Sequence, residues 1–298
     1  DAHRARSVTG RVDRGLPALE ERDGFTVRRL PVSPWPVLRA ALDVAHIGRA
    51  LESLDPRPDL VLCFQTFVSG LAGVRAQGRS GAPAVVWVRG EDEYRAEPAT
   101  TRLISVRVWD GARGVLVQSE ANRARVLAAL ERFAPRRAAR VAEKIAVVPN
   151  GLDLPDPPFT RGGRVLIVGR LIRDKGVDVA LDAAAGLRGL VTIAGDGPER
   201  ARLEERARLH GLDARFEGNV SRVRLDRLYR EAACVVLPSR RGEGLPNALL
   251  EAFAYARPVV ATPATGVSDL VTDGVNGLLV PPGDVRATRE ALGRLFNE

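Results

Sequence analysis

The residues best suited to chemistry lie in the segment LPSRRGEGLPNALLEA (237–252). Pro246 favours a helix start there, because proline lacks the N–H group that the first helical turn leaves unpaired. Amides at such a start face one site, and the helix dipole suits that site to a phosphate or pyrophosphate. The candidate amides are those of Gly244, Leu245 and Asn247.

Two glutamates frame this predicted anion site. Glu243 precedes the helix, and Glu251 lies within it, eight residues further on. Paired carboxylates also suit a glycosidase, but glycosidase carboxylates flank the bond to be cleaved, with no anion site between them. The pattern therefore favours two hydroxyl acceptors, with Glu243 on a transferred sugar and Glu251 on a ribose. The alternative is a solvated loop acid and an acid on a helix surface.

A second group of charges follows the apolar run RVLIVG (164–169). Arg170 and Lys175 come after the predicted strand ends at Gly169, and parallel sheets bind ligands at the carboxyl ends of their strands. Arginine can hold a phosphate through two hydrogen bonds, and lysine adds a point charge. Lys175 is one of only two lysines, the other being Lys144. We predict a phosphate contact here; the alternative is a solvated basic loop.

The segment IAGDGPER (193–200) contains part of a dinucleotide fingerprint. It has Gly195 and Gly197, but Arg200 stands where the third glycine belongs, and the segment lies in the middle of a domain. We therefore predict a tight strand-to-helix turn near a nucleotide rather than an NAD site.

Short β-rich runs alternate with helical patterns, which predicts parallel sheets covered by helices on both faces. A segment rich in proline and glycine, LDLPDPPFTRGG (152–163), separates two such series. We therefore predict two α/β domains, 1–151 and 152–298. The predicted strands before the linker are 25–30, 59–64, 84–88, 114–118 and 145–149. Those after it are 164–169, 191–195, 214–218, 234–238, 258–262 and 277–281.

Composition fits a globular protein with an anionic partner. Hydrophobic residues make up 45% of the chain, and no run approaches the ~18 apolar residues that span a bilayer. The net charge of +8 suits nucleotide phosphates or an anionic membrane face, or simply reflects arginine-rich composition. The lack of a nucleic-acid motif and the few aromatic residues argue against nucleic acid. Cys63 and Cys234 give no disulfide framework, so a cytoplasmic protein is expected.

Taken in order, these motifs resemble glycosyltransferase family 4, whose members have the GT-B fold. The resemblance is strong over residues 145–288 and weaker over the first domain. Glu243 and Glu251 have the spacing of the family's glutamate–seven–glutamate motif. The segments that carry the resemblance are GRLIRDKG, AGDGPER, FEGNVSR, LPSRRGEGLPNALLEA, ARPVVAT and TGVSDLVTDGVNGLLVPPGD.

The resemblance implies two Rossmann-like domains facing across a cleft, with the acceptor bound by residues 1–151 and a nucleotide-sugar by residues 152–298. In such enzymes the matching arginine and lysine hold the donor diphosphate. The first glutamate contacts the sugar and the second the ribose. The donor site expected from this match comprises Gly169, Arg170, Lys175, Val220, Glu243, Gly244, Leu245, Asn247 and Glu251. Its expected catalytic residues are Glu243, Arg170 and Lys175.

The chain departs from the family pattern at three places. Arg89 stands where many members have histidine, so the acceptor side is expected to include Arg89, Glu91 and Asp92. The family's opening strand and glycine-rich loop would precede residue 1, so the first domain is expected to be truncated at its start. Family members also commonly carry a further helix beyond the position of Glu298.

The implied reaction is retaining transfer from a UDP- or GDP-sugar to a sugar, lipid-linked or small-molecule acceptor. Cell-surface polysaccharide, glycolipid or small-glycoside synthesis is expected. No cofactor or metal is expected, because Arg170, Lys175 and the helix start would stabilise the departing diphosphate. The segment 123–140 carries six arginines and apolar residues at helical spacing, so a peripheral contact with the inner face of the membrane is a further expectation.

Two other functions fit parts of the pattern. A non-catalytic scaffold could keep the donor pocket without turnover. An epimerase or phosphorylase of related architecture is the second alternative, and a phosphorylase would need Lys144 or Lys175 to form a Schiff base with pyridoxal phosphate.

Overall fold

The computed structural model divides into two compact units. The first unit comprises residues 1–118 and 122–148, and the second comprises 119–121 and 149–298. The residues that the structure describes are 5–9, 19–22, 25–30, 39–89, 99–157, 160, 162–186, 190–241, 245–264 and 266–297.

The first unit contains two sheets. A small sheet has the order β1-β3-β2, with β1 parallel and β2 antiparallel to β3, and a parallel sheet has the order β4-β5-β6-β7. The strands are β1 Ala5–Thr9, β2 Leu19–Arg22, β3 Phe25–Arg29, β4 Val61–Phe64, β5 Ala84–Trp87, β6 Gly114–Val117 and β7 Ile145–Val147. The helices are α1 Arg39–Glu52, α2 Leu71–Ser80, α3 Ala99–Gly111, α4 Glu120–Phe133 and α5 Pro135–Ala142.

The core of this unit lies on one face of the parallel sheet. Cys63 and Val86 are buried there, whereas the alternate residues of β4 and β5 are exposed or half-buried on the other face. Trp109 of α3 is fully buried, and its indole N–H donates to Thr66 Oγ1 at 3.0 Å. The hydrogen bond satisfies the only polar atom of the ring, which allows so large a side chain to fill the core.

The second unit is a six-stranded parallel sheet with the order β10-β9-β8-β11-β12-β13. Counted from the first strand of the unit, this is the 3-2-1-4-5-6 order of a Rossmann fold. The strands are β8 Arg164–Val168, β9 Leu190–Ala194, β10 Ala214–Gly218, β11 Ala232–Leu237, β12 Val259–Ala261 and β13 Gly277–Leu279. The helices are α6 Val177–Ala184, α7 Arg200–Leu209, α8 Arg222–Glu231, α9 Asn247–Ala254 and α10 Val285–Asn297.

Helices cover both faces of this sheet, as the sequence predicts. One core joins the sheet to α6, α7 and α10, and includes Ile167 and Leu292. The other joins it to α8 and α9, and includes Leu166 and Leu249. The central strand β11 is buried at all six positions, which explains the continuous apolar run AACVVL.

The arginine-rich segment 123–140 is not one helix. In the structure α4 ends at Phe133, Ala134 adopts a φ of −151°, and α5 begins at Pro135. Proline supplies no N–H to the preceding turn, so it begins a new helix rather than extending the old one.

Part of this segment's charge and apolar surface is used within the first unit. Arg137 and Arg140 both pair with Asp110, and Val141 is fully buried in the core. The apolar residues at helical spacing along 123–140 therefore lie on two helices, and contact with a membrane surface stays a prediction. Within the described ranges, no helix is long and apolar enough to cross a bilayer.

Candidate functional site

The strand order of the second unit defines where a ligand can bind. The chain runs outward from β8 to β9 and β10 on one side, and from β11 to β12 and β13 on the other. The loops after β8 and β11 therefore leave the sheet in opposite directions and open a crevice at its carboxyl edge. These loops, 169–176 and 238–246, are those in which the sequence places its cations and its first glutamate.

The loop after β8 contains three of the predicted donor-site residues. Gly169 directly follows β8 and has a φ of 151°. Arg170 is exposed, and in the described part of the chain its side chain makes no hydrogen bond or ion pair. Lys175 is half-buried and ends a short 3-10 turn that begins at Arg173. An exposed cation at this edge can reach a bound anion without first breaking another pair.

This loop is fastened to the end of β11. Arg240 donates two hydrogen bonds to the carboxylate of Asp178, at 2.7 and 2.9 Å, and one to the carbonyl of Arg173 at 3.0 Å. Burial by itself would raise the pKa of Asp178, but the hydrogen bonds and charge of Arg240, with Arg202 nearby, outweigh it and hold the pKa below its usual value. The guanidinium of Arg240 therefore holds the loop after β11 against the loop after β8 and the start of α6.

The helix after β11 begins where the sequence predicts, with one adjustment. Pro246 occupies the N-cap position, with φ −71° and ψ 118°, and Asn247 is the first helical residue. Leu245 is buried and Asn247 is exposed. Asn247 Oδ1 accepts a hydrogen bond from Asn150 Nδ2 at 2.6 Å. Gly244 and Glu243, the predicted sugar contact, lie outside the described residues.

Glu251 is held from two sides. Its Oε1 accepts a hydrogen bond from Arg222 Nη1, and its Oε2 accepts one from the hydroxyl of Tyr229 at 2.8 Å. The Glu251 side chain is 14% exposed. Neither partner is found by sequence reasoning, because Arg222 is 29 residues away and no local spacing connects the two.

A small cavity of about 210 Å³ opens beside this carboxylate. Its volume is below the range of about 300–1,000 Å³ for sites that enclose a whole small molecule. It therefore has room for only part of a nucleotide. The lining residues are Gly151, Leu152, Asp153, Arg222, Asn247, Leu250 and Glu251.

The loops after β9 and β10 pack next to the loop after β8. Gly195 has a φ of 144°, and a Cβ added there would lie 1.9 Å from the carbonyl oxygen of Gly169. The glycine is therefore required by the close approach of two loops, in agreement with the predicted tight turn. Val220, the predicted base contact, is half-buried in the next loop and packs against the core beneath α8 and α9.

On the first unit, Arg89 lies in an aromatic setting. Its guanidinium is 5.8 Å from the ring centroid of Phe64 and 5.1 Å from that of Trp87, and the rings are 5.5 Å apart. Gln65, directly after β4, has φ 131° and ψ 152°, a region almost restricted to glycine. Backbone strain of this kind clusters at functional sites. The other predicted acceptor-side residues, Glu91 and Asp92, lie outside the described residues.

Lys144 has a structural setting. Its amino group donates to the carbonyls of Asp110, at 2.5 Å, and Ala112, at 2.7 Å. These contacts join the end of α3 to the start of β7, which disfavours a Schiff-base role for this lysine. Among the residues that the structure describes, no group of three or more His, Cys, Asp or Glu side chains is placed to hold a metal ion.

The same architecture occurs in solved structures. Sucrose-phosphate synthase from Thermosynechococcus elongatus superposes with a TM-score of 0.80 and 21% identity, over 99% of this chain and 80% of that chain. HepE from Anabaena, solved in complex with UDP and glucose, gives a TM-score of 0.74 and 21% identity over 92% and 77% of the two chains. Two parallel-sheet α/β units of this kind define the GT-B fold, which confirms the predicted fold class.

Family models extend this result to the sequence. Residues 1–151 match the glycosyl transferase 4-like domain, and residues 162–298 match glycosyl transferases group 1. The chain therefore belongs to the glycosyl transferases of this 4-like, group 1 type.

Curated relatives are similar over about half of the chain. The α-D-kanosaminyltransferase of Streptomyces kanamyceticus is 38% identical over 45% of this chain and 36% of its own length. The O-antigen chain mannosyltransferase C of Escherichia coli is 36% identical over 52% of this chain and 46% of its own length. The matched segments thus span less than half of each of these relatives.

Proposed function

We propose that this protein transfers a sugar from a nucleotide-sugar to an acceptor, with retention of configuration at the transferred carbon. The observation that carries the proposal is the switch point between β8 and β11. An exposed Arg170, the lysine-containing turn and the start of α9 come together there at one sheet edge. A cationic loop beside a helix start suits a diphosphate.

The donor is assigned to the second unit. Arg170 and Lys175 bind the diphosphate, Glu243 the sugar and Glu251 the ribose, while Val220 lies near the base. UDP is the first choice of nucleotide, since HepE was solved with UDP and glucose, and GDP is the second. The kanosaminyl- and mannosyltransferase relatives favour a glycoside or surface-polysaccharide acceptor.

The chemistry can proceed without a strong protein base. The bond from the anomeric carbon to the diphosphate breaks, and the new bond to the acceptor oxygen forms on the same face of the sugar. The acceptor proton passes to an oxygen of the departing diphosphate. Arg170 and Lys175 stabilise the negative charge that develops there, which is the role we assign to them instead of a metal ion.

The acceptor is assigned to the first unit. Phe64 and Trp87 are the last residues of the adjacent parallel strands β4 and β5, and Arg89 follows β5, at the carboxyl edge where open sheets bind ligands. Phe64 is 49% exposed, so its ring offers a surface on which a sugar face can stack. Peripheral attachment to a membrane remains a secondary part of this proposal.

Nucleotide binding is the first test. We expect UDP, or GDP in its place, to raise the melting temperature in the presence of EDTA. Each hydrogen bond between a charged group and the diphosphate contributes about 1.5–3 kcal/mol. Arg170→Ala and Lys175→Ala should each remove most of the increase. The measurement is a thermal-shift titration with UDP, GDP and the matching nucleosides.

A matched control separates this effect from general loss of positive charge. Arg208 is an exposed arginine at the end of α7, paired with Glu205. Because α7 runs back from the carboxyl edge of β9, its last turn, which contains Arg208, lies at the opposite edge of the sheet. Arg208→Ala should keep the full increase in melting temperature with UDP or GDP. Equal melting temperatures with and without nucleotide for the unmodified protein would refute the donor assignment.

Retention is tested on the product. Proton NMR of the isolated product gives the anomeric configuration of the new glycoside, which does not interconvert in water. We expect the configuration of the donor. An inverted product would rule out the front-face mechanism. If the protein binds the nucleotide-sugar but neither hydrolyses it nor transfers its sugar to any acceptor, the scaffold alternative is favoured.

A further inference from the structure

Glu251 is already hydrogen-bonded before any ligand arrives. An ionised carboxylate has about four acceptor positions, two on each oxygen. Arg222 takes one on Oε1, and the Tyr229 hydroxyl takes one on Oε2. In the described part of the chain these are the only hydrogen bonds to the Glu251 side chain, which leaves one position on each oxygen. Two adjacent acceptors match two adjacent hydroxyl donors.

The two partners fix the plane of the carboxylate. A hydrogen bond on each oxygen prevents rotation about the terminal bond, so the remaining acceptor positions point in set directions. The Arg222 side chain is 55% exposed and lines the same small cavity as Glu251. The pKa of Arg222 is raised, chiefly by its hydrogen bond to Glu251. Arg222 and Glu251 therefore form part of the cavity wall rather than part of the core.

We infer that Arg222 and Tyr229 are positioning residues that make Glu251 selective for a vicinal diol. The ligand class is a ribonucleoside diphosphate, and the selected feature is its pair of ribose hydroxyls. This inference rests on the proposed function, because it places the ribose of the donor in the cavity beside Glu251. It goes beyond the assignment of Glu251 by naming the two residues that give the carboxylate its selectivity.

Loss of Arg222 or Tyr229 should change the affinity for a ribonucleotide but not that for a dideoxynucleotide. Without Arg222 or Tyr229 the carboxylate can rotate, so the two ribose hydroxyls lose their fixed acceptors while the diphosphate keeps its cations. Loss of Arg222 should therefore weaken a ribonucleotide and leave a dideoxynucleotide unaffected. A residue that only supports the fold would weaken both to the same extent.

The chain offers a matched control for each residue. Arg224 lies two residues after Arg222 on the same helix but pairs with Glu217. Tyr255 stacks on Tyr229, with ring centroids 5.1 Å apart, and donates its hydroxyl to Asp226 at 2.5 Å instead of to Glu251. Arg224→Ala and Tyr255→Phe therefore remove similar groups that do not contact Glu251.

The experiment is a calorimetric titration of the full chain with UDP and with 2′,3′-dideoxy-UDP. We expect the unmodified protein to prefer UDP about tenfold or more, as hydrogen bonds to a charged acceptor allow. Arg222→Ala and Tyr229→Phe should reduce the preference to about threefold or less, with dideoxy-UDP affinity unchanged. Arg222→Lys should restore part of it. Arg224→Ala and Tyr255→Phe should keep all of it.

The outcomes separate the two levels of the proposal. Equal losses for both ligands in Arg222→Ala and Tyr229→Phe would show a merely structural role and overturn the inference. An unchanged preference of these variants for UDP over dideoxy-UDP would overturn the inference as well. An increased preference would also overturn it, because it would show that Arg222 competes with the ribose for Glu251. If Arg222→Ala does not fold, Tyr229→Phe decides alone. Absence of UDP and GDP binding by the unmodified protein would overturn the proposed function together with this inference.

Discussion

At the scale of single residues, the ion pair of Asp178 with Arg240 holds the crevice loops together and contributes to the free energy of unfolding. The Asp178 carboxylate is 13% exposed and receives the two-pronged hydrogen bond of Arg240. Its pKa is held below the usual value in the folded protein, although burial alone acts in the opposite direction. The unfolded chain therefore takes up a proton first as the pH falls. The stabilisation by the pair is present above the unfolded pKa of about 3.9 and is lost as the pH falls through the lower folded value.

Replacement of this residue gives the first stability prediction. Asp178→Asn should lower stability at pH 7 by about 1–2 kcal/mol, since it removes the charge from a hydrogen-bonded pair. That corresponds to about 2–8 °C in melting temperature. The difference from the unmodified protein should shrink as the pH is lowered below 4, because the unfolded unmodified chain then takes up a proton at Asp178, and the folded protein does so at still lower pH. Scanning calorimetry at pH 7 and pH 3 measures both values.

Asp174 provides the control for this prediction. Asp174, in the loop 169–176, pairs with Arg241 in the loop after β11, but at 3.7 Å and with side chains that are 42% and 80% exposed. Exposed pairs contribute about 0–1 kcal/mol. Asp174→Asn should therefore change the melting temperature little at either pH. A pH-independent loss in Asp178→Asn would mean that its effect is steric and not electrostatic.

At the scale of elements, the loop 169–176 is a rigid connection. Gly176 has a φ of 64°, and a Cβ added there would lie 2.0 Å from the carbonyl oxygen of Pro238, at the end of β11. No real Cβ contact is so short, so a side chain at this position must push the loop away from β11. The same movement would carry Lys175 with it.

Gly176→Ala should therefore affect both stability and binding. We expect a loss of about 2 kcal/mol or more, since left-handed backbone strain of about 1–2 kcal/mol is joined by a backbone clash. The increase in melting temperature with UDP should be largely lost as well. Thermal shift with and without nucleotide measures the two effects on one sample.

Gly186, just after α6, separates strain from clash. Its φ is 85°, and a Cβ added there would meet nothing within 4 Å. Gly186→Ala should carry only the conformational cost, about 1 kcal/mol, and should keep the full nucleotide effect. If Gly176→Ala and Gly186→Ala show the same loss of stability and the same increase in melting temperature with UDP, the loop 169–176 accommodates the added Cβ without displacing Arg170 and Lys175.

At the scale of the whole molecule, the two units have separate hydrophobic cores. Trp109 is fully buried in the first, and Leu249 is fully buried in the second. We expect two transitions in scanning calorimetry, of which UDP raises only that of the second unit, because ligands stabilise the folded unit that binds them.

Core substitutions assign the transitions. Leu249→Ala should lower the UDP-sensitive transition, and Trp109→Ala the other, by the equivalent of about 2–5 kcal/mol each. A single transition that both substitutions lower would show that the units unfold together. In that case UDP should raise the whole transition.

The sequence by itself determined the alternation of elements in both units. Buried runs such as AACVVL in β11 and the proline before α9 are local signals, and the strands and the helix form where those signals lie. The ordered motifs also pointed to the GT-B fold, because their residue types and spacings are properties of the chain alone. Glu251 could be found in the same way, through its fixed distance from Glu243.

Only the tertiary structure decided what surrounds those residues. Sheet order brings the loops after β8 and β11 together, and no spacing along the chain encodes that β11 pairs with β8. For the same reason the contacts of Glu251 with Arg222 and of Asp178 with Arg240 join residues 29 and 62 positions apart. Local periodicity records which side of an element is apolar, whereas the partner on that side is set by the fold.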